Sequence, residues 1–245
     1  MAEKLYLKDP CIKEFEAVVE SVEGKNAVLN KTAFYPAGGG QPCDTGRIVG
    51  PGGNEFRVVS VRKTPELVIH ELDKPGLAGG ERVKCFVDWE RRYHHMRMHT
   101  SAHVIHGVIF KEMGLLVSGN QLGWPQSRID INIAGFDREK FSEIEEKCNA
   151  VIAGRLPVTF FFITKDEAKS NPDYFRLMGV GIDELLERLG DEIRVLRIGN
   201  FDESIDGGTH VRNTSEIGKI RFVRFENKGA NNRRIYFELT EPTPA

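Results

Sequence analysis

The chain has 245 residues, room for one large domain or two smaller ones, and its 40% hydrophobic and 29% charged content is that of an ordinary water-soluble fold. With 34 Lys and Arg against 36 Asp and Glu the net charge is −2, which excludes indiscriminate coating of nucleic acid but not a local basic field. No apolar run approaches the roughly 18 residues of a membrane span, and MAEKLYLKDP lacks a basic-then-apolar leader, so the expectation is a cytoplasmic protein with no membrane partner. Cys11, Cys43, Cys85 and Cys148 are far apart with no CxxC pairing, and they read as buried thiols rather than a disulfide framework.

From about Phe15 to Val87 the stretches AVVESV, AVLN, EFRVVSV, ELVIHEL and ERVKCFV alternate with glycine, proline and asparagine, which predicts a small antiparallel β-barrel. Inside it, FYPAGGGQPCDTG carries Gly38, Gly39 and Gly40 followed by Gln41. The lysine and following helix of a P-loop are missing, so the string reads by itself as a tight turn. Asp88 is the expected N-cap of a helix over roughly 88–113, with Trp89, Met96, Ala102, Ile105 and Ile109 at apolar positions and Gly114 as its stop.

Beyond that helix, SRIDINIAGF reads as a strand, FSEIEEKCNAVIAG as an amphipathic helix and LPVTFFFI as a buried strand. Thr164 and Glu167 have capping-box spacing, so a short helix should open at TKDEAKS. A polar helical stretch near IDELLERLG and the strand EIRVLRI follow. KIRFVRF and RRIYFEL, joined by ENKGANN, form a predicted hairpin, and EPTPA a disordered tail. The expected fold class is α+β: an N-terminal antiparallel β-barrel over 1–87, then an α+β domain over 88–245 opened by the long helix.

His99 and His103 stand four apart on that helix, one turn apart on one face, where two imidazoles can reach one metal ion. His94, His95 and His106 crowd the same segment, so spacing alone does not choose between 95/99 and 99/103, and packed histidines without metal remain open. DGGTH offers Asp206 and His210 around two glycines, in a turn that is either a plain loop or a place where backbone meets a ligand. Between residues 212 and 234, Arg212, Lys219, Arg221, Arg224, Lys228, Arg233 and Arg234 face only Glu216 and Glu226, giving either a phosphate-binding surface or a solvated strand face. Arg128 and Asp130, two apart on a strand, share a side and can pair structurally.

FYPAGGGQPCDTG, DWERRYHHMRMHTSAHVIHGV, SRIDINIAGFD, DGGTHVRNTSEIGKIRF and NKGANNRRIYF together resemble one family, the AlaX alanyl-tRNA editing proteins, related to the editing domain of alanyl-tRNA synthetase. The strings occur in the family's order from about residue 34 to 237, and a barrel ahead of the editing domain is similar to the medium-sized class. The resemblance implies hydrolysis of serine, and of glycine as a further substrate, from mischarged alanine tRNA at one Zn²⁺ ion. The family's ligands are the histidines of HxxxH and the cysteine and histidine of CxxxH, which fall on His99, His103 and His210, with Asp206 at the cysteine position. A carboxylate there should hold zinc less tightly and leave it a stronger Lewis acid; the alternative is a three-histidine site with Asp206 standing off.

Zinc in such a site would polarise the ester carbonyl, lower the pKa of water or position the amino group, and no side-chain general base stands out beside the ligands. Selecting serine over alanine requires hydrogen bonding the hydroxyl, for which Thr100 is the first candidate, with Gln121 and Gln41 behind it. By resemblance Gly38, Gly39, Gly40 and Gln41 limit the size of the substrate site; from its local charge, the basic 212–234 segment is expected to contact tRNA phosphates. The competing expectations are a non-catalytic tRNA- or protein-binding module with a structural or decayed metal site, and a zinc hydrolase of small esters or amides.

Overall fold

A computed structural model describes residues 2–135, 137–175 and 181–242. The chain divides into two compact units, Met1–His95 and Met96–Ala245. The first contains β1 (Glu3–Lys4), α1 (Leu5–Lys8), β2 (Glu14–Glu23), β3 (Asn26–Leu29), β4 (Lys31–Thr32), β5 (Gly46–Val49), β6 (Glu55–Lys63), β7 (Val68–Leu72) and β8 (Arg82–Val87). Six of these close an antiparallel barrel in the order β2-β3-β7-β6-β5-β8, which leaves that sheet no free edge. Val19, Leu29, Phe34, Ile48, Val58, Val61, Leu72 and Cys85 fill its core. On β6 the inward positions Phe56 and Val58 are followed by Val61, because a register shift between Val58 and Ser60 resets the alternation. Five of the six barrel strands are legible in the sequence; β5, whose four residues bury only Ile48, is not.

His70 and the Arg92–Asp44 pair are among the buried polar side chains of this unit. His70 is fully buried, with Nδ1 3.1 Å from the Ala27 carbonyl and Nε2 2.9 Å from Thr32 Oγ1. Burial lowers its pKa to about 4 against a weaker opposing effect of the Ala27 carbonyl. Arg92 and Asp44 are both fully buried and form an ion pair. The guanidinium also donates to the carbonyls of Pro10 (2.6 Å) and Ala33, while Asp44 accepts from the Tyr35 amide at 2.6 Å. The Gly38–Gln41 segment is a two-residue hairpin turn, with Gly38 N to Gln41 O at 3.1 Å and the reciprocal bond at 2.9 Å. Gly39 and Gly40 have φ of +59° and +86°, the positive values that this turn demands at both central positions.

The long helix α2 (Trp89–Met113) begins in the first unit and continues into the second. Its start is capped as expected, with the Arg91 amide 3.3 Å from Asp88 Oδ1, and Gly114 at φ +65° ends it. The second unit adds β9 (Val117–Gln121), β10 (Gln126–Asn132), α3 (Arg138–Ala153), β11 (Val158–Thr164), α4 (Lys165–Ser170), α5 (Ile182–Arg188), β12 (Glu192–Ile198), β13 (Asp202–Ile205), β14 (Ile220–Asn227) and β15 (Asn232–Leu239). Two sheets result, ordered β14-β15-β10-β9 and β11-β12-β13. The capping box at Thr164 and Glu167 and the closing hairpin β14–β15 form as the sequence predicts.

The expectation of a buried strand at LPVTFFFI is corrected. β11 is an edge strand, and though Val158 is buried, Phe162 is 42% exposed. Of the cysteines only Cys85 and Cys148 are buried; Cys11 and Cys43 are half-buried. β9 and β13 were not foreseen. Of the tail at 241–245, residues 243–245 lie outside the described residues.

Candidate metal centre

Every residue of α2 from Met96 to Ile109 is buried, although the stretch includes Arg97, His99, Thr100, Ser101, His103 and His106. Hydroxyls in a buried helix need partners, and they find them on their own backbone. Thr100 Oγ1 donates to Met96 O at 2.9 Å and Ser101 Oγ to Met98 O at 2.7 Å. The i,i+4 spacing then puts the rings of His99 and His103 on one face, with centroids 5.1 Å apart.

Across from them runs β13, followed by the DGGTH loop. β13 pairs antiparallel with β12, and the bond from Asp206 N to Arg194 O (3.2 Å) carries the strand direction one residue past its end. Arg194 Nη1 donates to the carbonyls of Asp206 (3.1 Å) and Gly208 (2.9 Å), and the Gly208 amide donates to Asp206 Oδ2. The loop is thereby held in a shape that delivers Asp206 and His210 together. Three imidazole Nε2 atoms meet one carboxylate: His99 at 3.1 Å and His103 at 3.4 Å from Asp206 Oδ1, and His210 at 3.3 Å from Oδ2.

The ligand atoms of His99, His103, Asp206 and His210 all lie within 4.8 Å of one another, and among the described residues this is the group of histidine, cysteine and acidic side chains that can hold a metal ion. The 99/103 pair, not 95/99, belongs to it. Burial pushes the His210 pKa well below its ordinary value, with His99 adding to the effect and Asp206 only partly opposing it. Burial by itself would raise the Asp206 pKa, but His99 and the hydrogen bonds of His103 and His210 override it and hold the carboxyl well below the usual range. Imidazole nitrogens facing a carboxylate are the donor set of a divalent cation, which fits the residues present.

The partners behind two ligands are equally defined. His103 Nδ1 lies 3.0 Å from Ser204 Oγ, which donates to Asp202 Oδ2 at 3.3 Å. His210 Nδ1 lies 3.3 Å from Thr100 Oγ1, which also accepts from the Val211 amide at 3.2 Å. The Thr100 hydroxyl, expected as a substrate contact, therefore has its proton on Met96 O and both lone pairs engaged within the protein. His106 is buried beside the group, its ring centroid 6.0 Å from that of His103 and its Nε2 without a hydrogen-bond partner. Burial and the neighbouring His103 and His99 keep its pKa well below the usual value.

The other expected site residues lie elsewhere. Gln121 is exposed on β9, where its Oε1 accepts from Arg128 Nε at 3.0 Å. Gly38, Gly39, Gly40 and Gln41 belong to the turn of the first unit. Of the basic set, Arg212, Lys219, Arg221, Arg224 and Lys228 are exposed. Arg233 is buried and donates to the carbonyls of Gly229, Ala230 and Asn232 at the hairpin turn. Arg234 grips Asp130 through two bonds of 2.6 and 2.9 Å, and Arg128 joins the same carboxylate at 2.6 Å, the pair foreseen from the sequence. Missed altogether were Arg194, Asp202 and Ser204; the polar residues at 202, 204 and 206 alternate as one strand face does, which was the available signal.

Both units match sequence families found in aminoacyl-tRNA synthetases. Residues 5–91 match the family model described as tRNA synthetases class II (A), and residues 193–236 match the Threonyl and Alanyl tRNA synthetase second additional domain. Alanyl-tRNA editing protein AlaX-M of Methanosarcina barkeri is 44% identical over 98% of this chain and 100% of its own length, and that of Saccharolobus solfataricus is 35% identical over 98% and 99%. The alanine–tRNA ligase of Pyrococcus abyssi is 37% identical over 97% of this chain, which covers 26% of the ligase. The chain belongs to the AlaX-M family of alanyl-tRNA editing proteins.

Proposed function

We propose that this protein is a zinc-dependent deacylase that removes serine, and secondarily glycine, from mischarged alanine tRNA. The observation that carries the proposal is the meeting of three Nε2 atoms and the Asp206 carboxylate at 3.1 to 3.4 Å. Ligands that share one zinc ion stand roughly 3.3 Å apart, and these three nitrogen–carboxylate distances agree with that. Zinc bound there would supply Lewis acidity toward the ester or the attacking water.

The protein's own part is to orient. An aminoacyl ester is already activated, so catalysis needs a fixed approach of water and a stabilised oxyanion rather than a strong base. His99, His103, Asp206 and His210 are assigned as metal ligands, with Asp206 ligating directly. Gln121 and the Gly38–Gln41 turn are kept as substrate-selecting candidates on the strength of their motifs, and Thr100 is reassigned to holding His210. We place the editing domain at 88–245. Phosphate contacts are assigned to Arg212, Lys219, Arg221, Arg224 and Lys228; the exposed ion pairs of Arg221 with Glu238 and of Arg224 and Lys228 with Glu226 are weak enough to exchange for phosphate.

The test is deacylation of Ser-tRNA(Ala) and Ala-tRNA(Ala) by wild type and His103→Ala. Serine should be removed far faster than alanine, and the variant should lose more than the 10- to 100-fold typical of changes behind a metal ligand. Equal rates on the two substrates would reject the editing reading. Activity on free aminoacyl esters equal to that on tRNA would favour a general esterase.

A further inference from the structure

We propose that Asp202, acting through Ser204, is a positioning residue that keeps the proton of His103 on Nδ1 and so turns its Nε2 lone pair to the metal site. The inference rests on the assignment of His103 as a ligand. Asp202 and Ser204 are two apart on β13, opposite Ile198 and Leu196 of β12, so their side chains share one face of the strand. Both are buried, Ser204 to 1% and Asp202 to 7% exposure.

Proton counting fixes the direction of the relay. A serine hydroxyl has one proton and two lone pairs, and a carboxylate can only accept. With Asp202 Oδ2 3.3 Å from Ser204 Oγ, the hydroxyl proton goes to Asp202. Ser204 then offers His103 only a lone pair, and at 3.0 Å His103 Nδ1 must be the donor. Nε2 is the ring nitrogen that faces Asp206 Oδ1, at 3.4 Å, and is the one an ion would share. Without the carboxylate at 202, Ser204 could donate to Nδ1 instead; the ring proton would move to Nε2 and block coordination through that nitrogen. Thr100 and His210 obey the same count: the Thr100 proton is on Met96 O, so His210 Nδ1 is the donor, and its Nε2 faces Asp206 Oδ2 at 3.3 Å. Two ligands from different elements thus have Nδ1 committed as a donor, which leaves Nε2 of each as the nitrogen for an ion.

The experiment uses the full chain with ¹⁵N-labelled histidine, together with zinc affinity measured by competition with a chromophoric chelator at pH 7. In zinc-free wild type, long-range ¹H–¹⁵N spectra should show His103 protonated at Nδ1. Ser204→Ala should weaken zinc binding about 10- to 100-fold, Asp202→Asn should weaken it in the same direction, and Ser204→Thr, which keeps the hydroxyl, should stay near wild type. A His103 Nδ1 without a proton in wild type overturns the proposal. So does a zinc affinity within twofold of wild type in Ser204→Ala or Asp202→Asn. The wild-type spectrum decides even if a variant fails to fold, and it decides independently of whether the protein deacylates tRNA.

Discussion

Gly208 leaves no room for a side chain: a Cβ there would stand 2.2 Å from Cε1 and 2.3 Å from Nδ1 of His99. Its φ is unexceptional, so the demand for glycine is one of space. Gly208→Ala should push the His99 ring out of the cluster, and zinc content after dialysis should fall well below one ion per chain while circular dichroism stays native. Retained stoichiometric zinc would contradict the placement of His99. At Asp206 the ligand is a carboxylate, and a thiolate would be the softer, more strongly donating one. Asp206→Cys should therefore bind zinc more tightly than wild type in a chelator competition; weaker binding would show that the site is shaped for a carboxylate. For the glycine-rich turn, Gly38→Ala is a cleaner probe than a change at Gly39. A Cβ at Gly38 meets Lys63 and Tyr35 at an ordinary 3.6 Å, whereas Gly39 has φ +59° and any side chain there is strained.

At the level of elements, the barrel depends on two buried polar groups with opposite logic. His70 must stay neutral: its folded pKa of about 4 lies below the ordinary 6.5, so the unfolded chain binds more protons between those values. The stability it contributes is complete above about pH 6.5 and is lost as pH falls toward 4, a swing of about 3 kcal/mol. Denaturant unfolding at pH 7.5 and pH 4.5 should show that loss, and His70→Gln should flatten it. Arg92 and Asp44 must stay charged together, so Arg92→Met strands a carboxylate in the barrel and should cost about 3–5 kcal/mol in the same assay.

These elements also show what the sequence could tell. Helix α2 was legible because Asp88 and Gly114 punctuate it and because HxxxH has helical spacing. The capping box at Thr164 and the ENKGANN hairpin were legible for the same local reason. β5, β9 and β13 were not, since strands of four or five residues with mixed polarity gain their identity from partners far along the chain. Asp202 and Ser204 were hidden with β13. Phe160, Phe161 and Phe162 misled because an apolar run marks a strand without saying whether it lies at an edge.

On the scale of the whole molecule, a net charge of −2 coexists with a basic hairpin. If Arg212, Lys219, Arg221, Arg224 and Lys228 meet phosphates, tRNA affinity should fall steeply with salt, and each substitution by alanine should reduce the slope of log affinity against log salt by about one. Arg233→Ala and Arg234→Ala should instead lower thermal stability, because their guanidiniums are committed to the hairpin turn and to Asp130. A slope unchanged by the exposed set would move the tRNA surface elsewhere.

The convergence of His99, His103, Asp206 and His210 on one ion is tested most directly by zinc X-ray absorption on the purified full chain. The structure predicts one zinc per chain with a first shell of nitrogen and oxygen only, at about 2.0 to 2.1 Å, and the outer-shell scattering of imidazole. A sulfur neighbour at about 2.3 Å, or a first shell without imidazole, would contradict it.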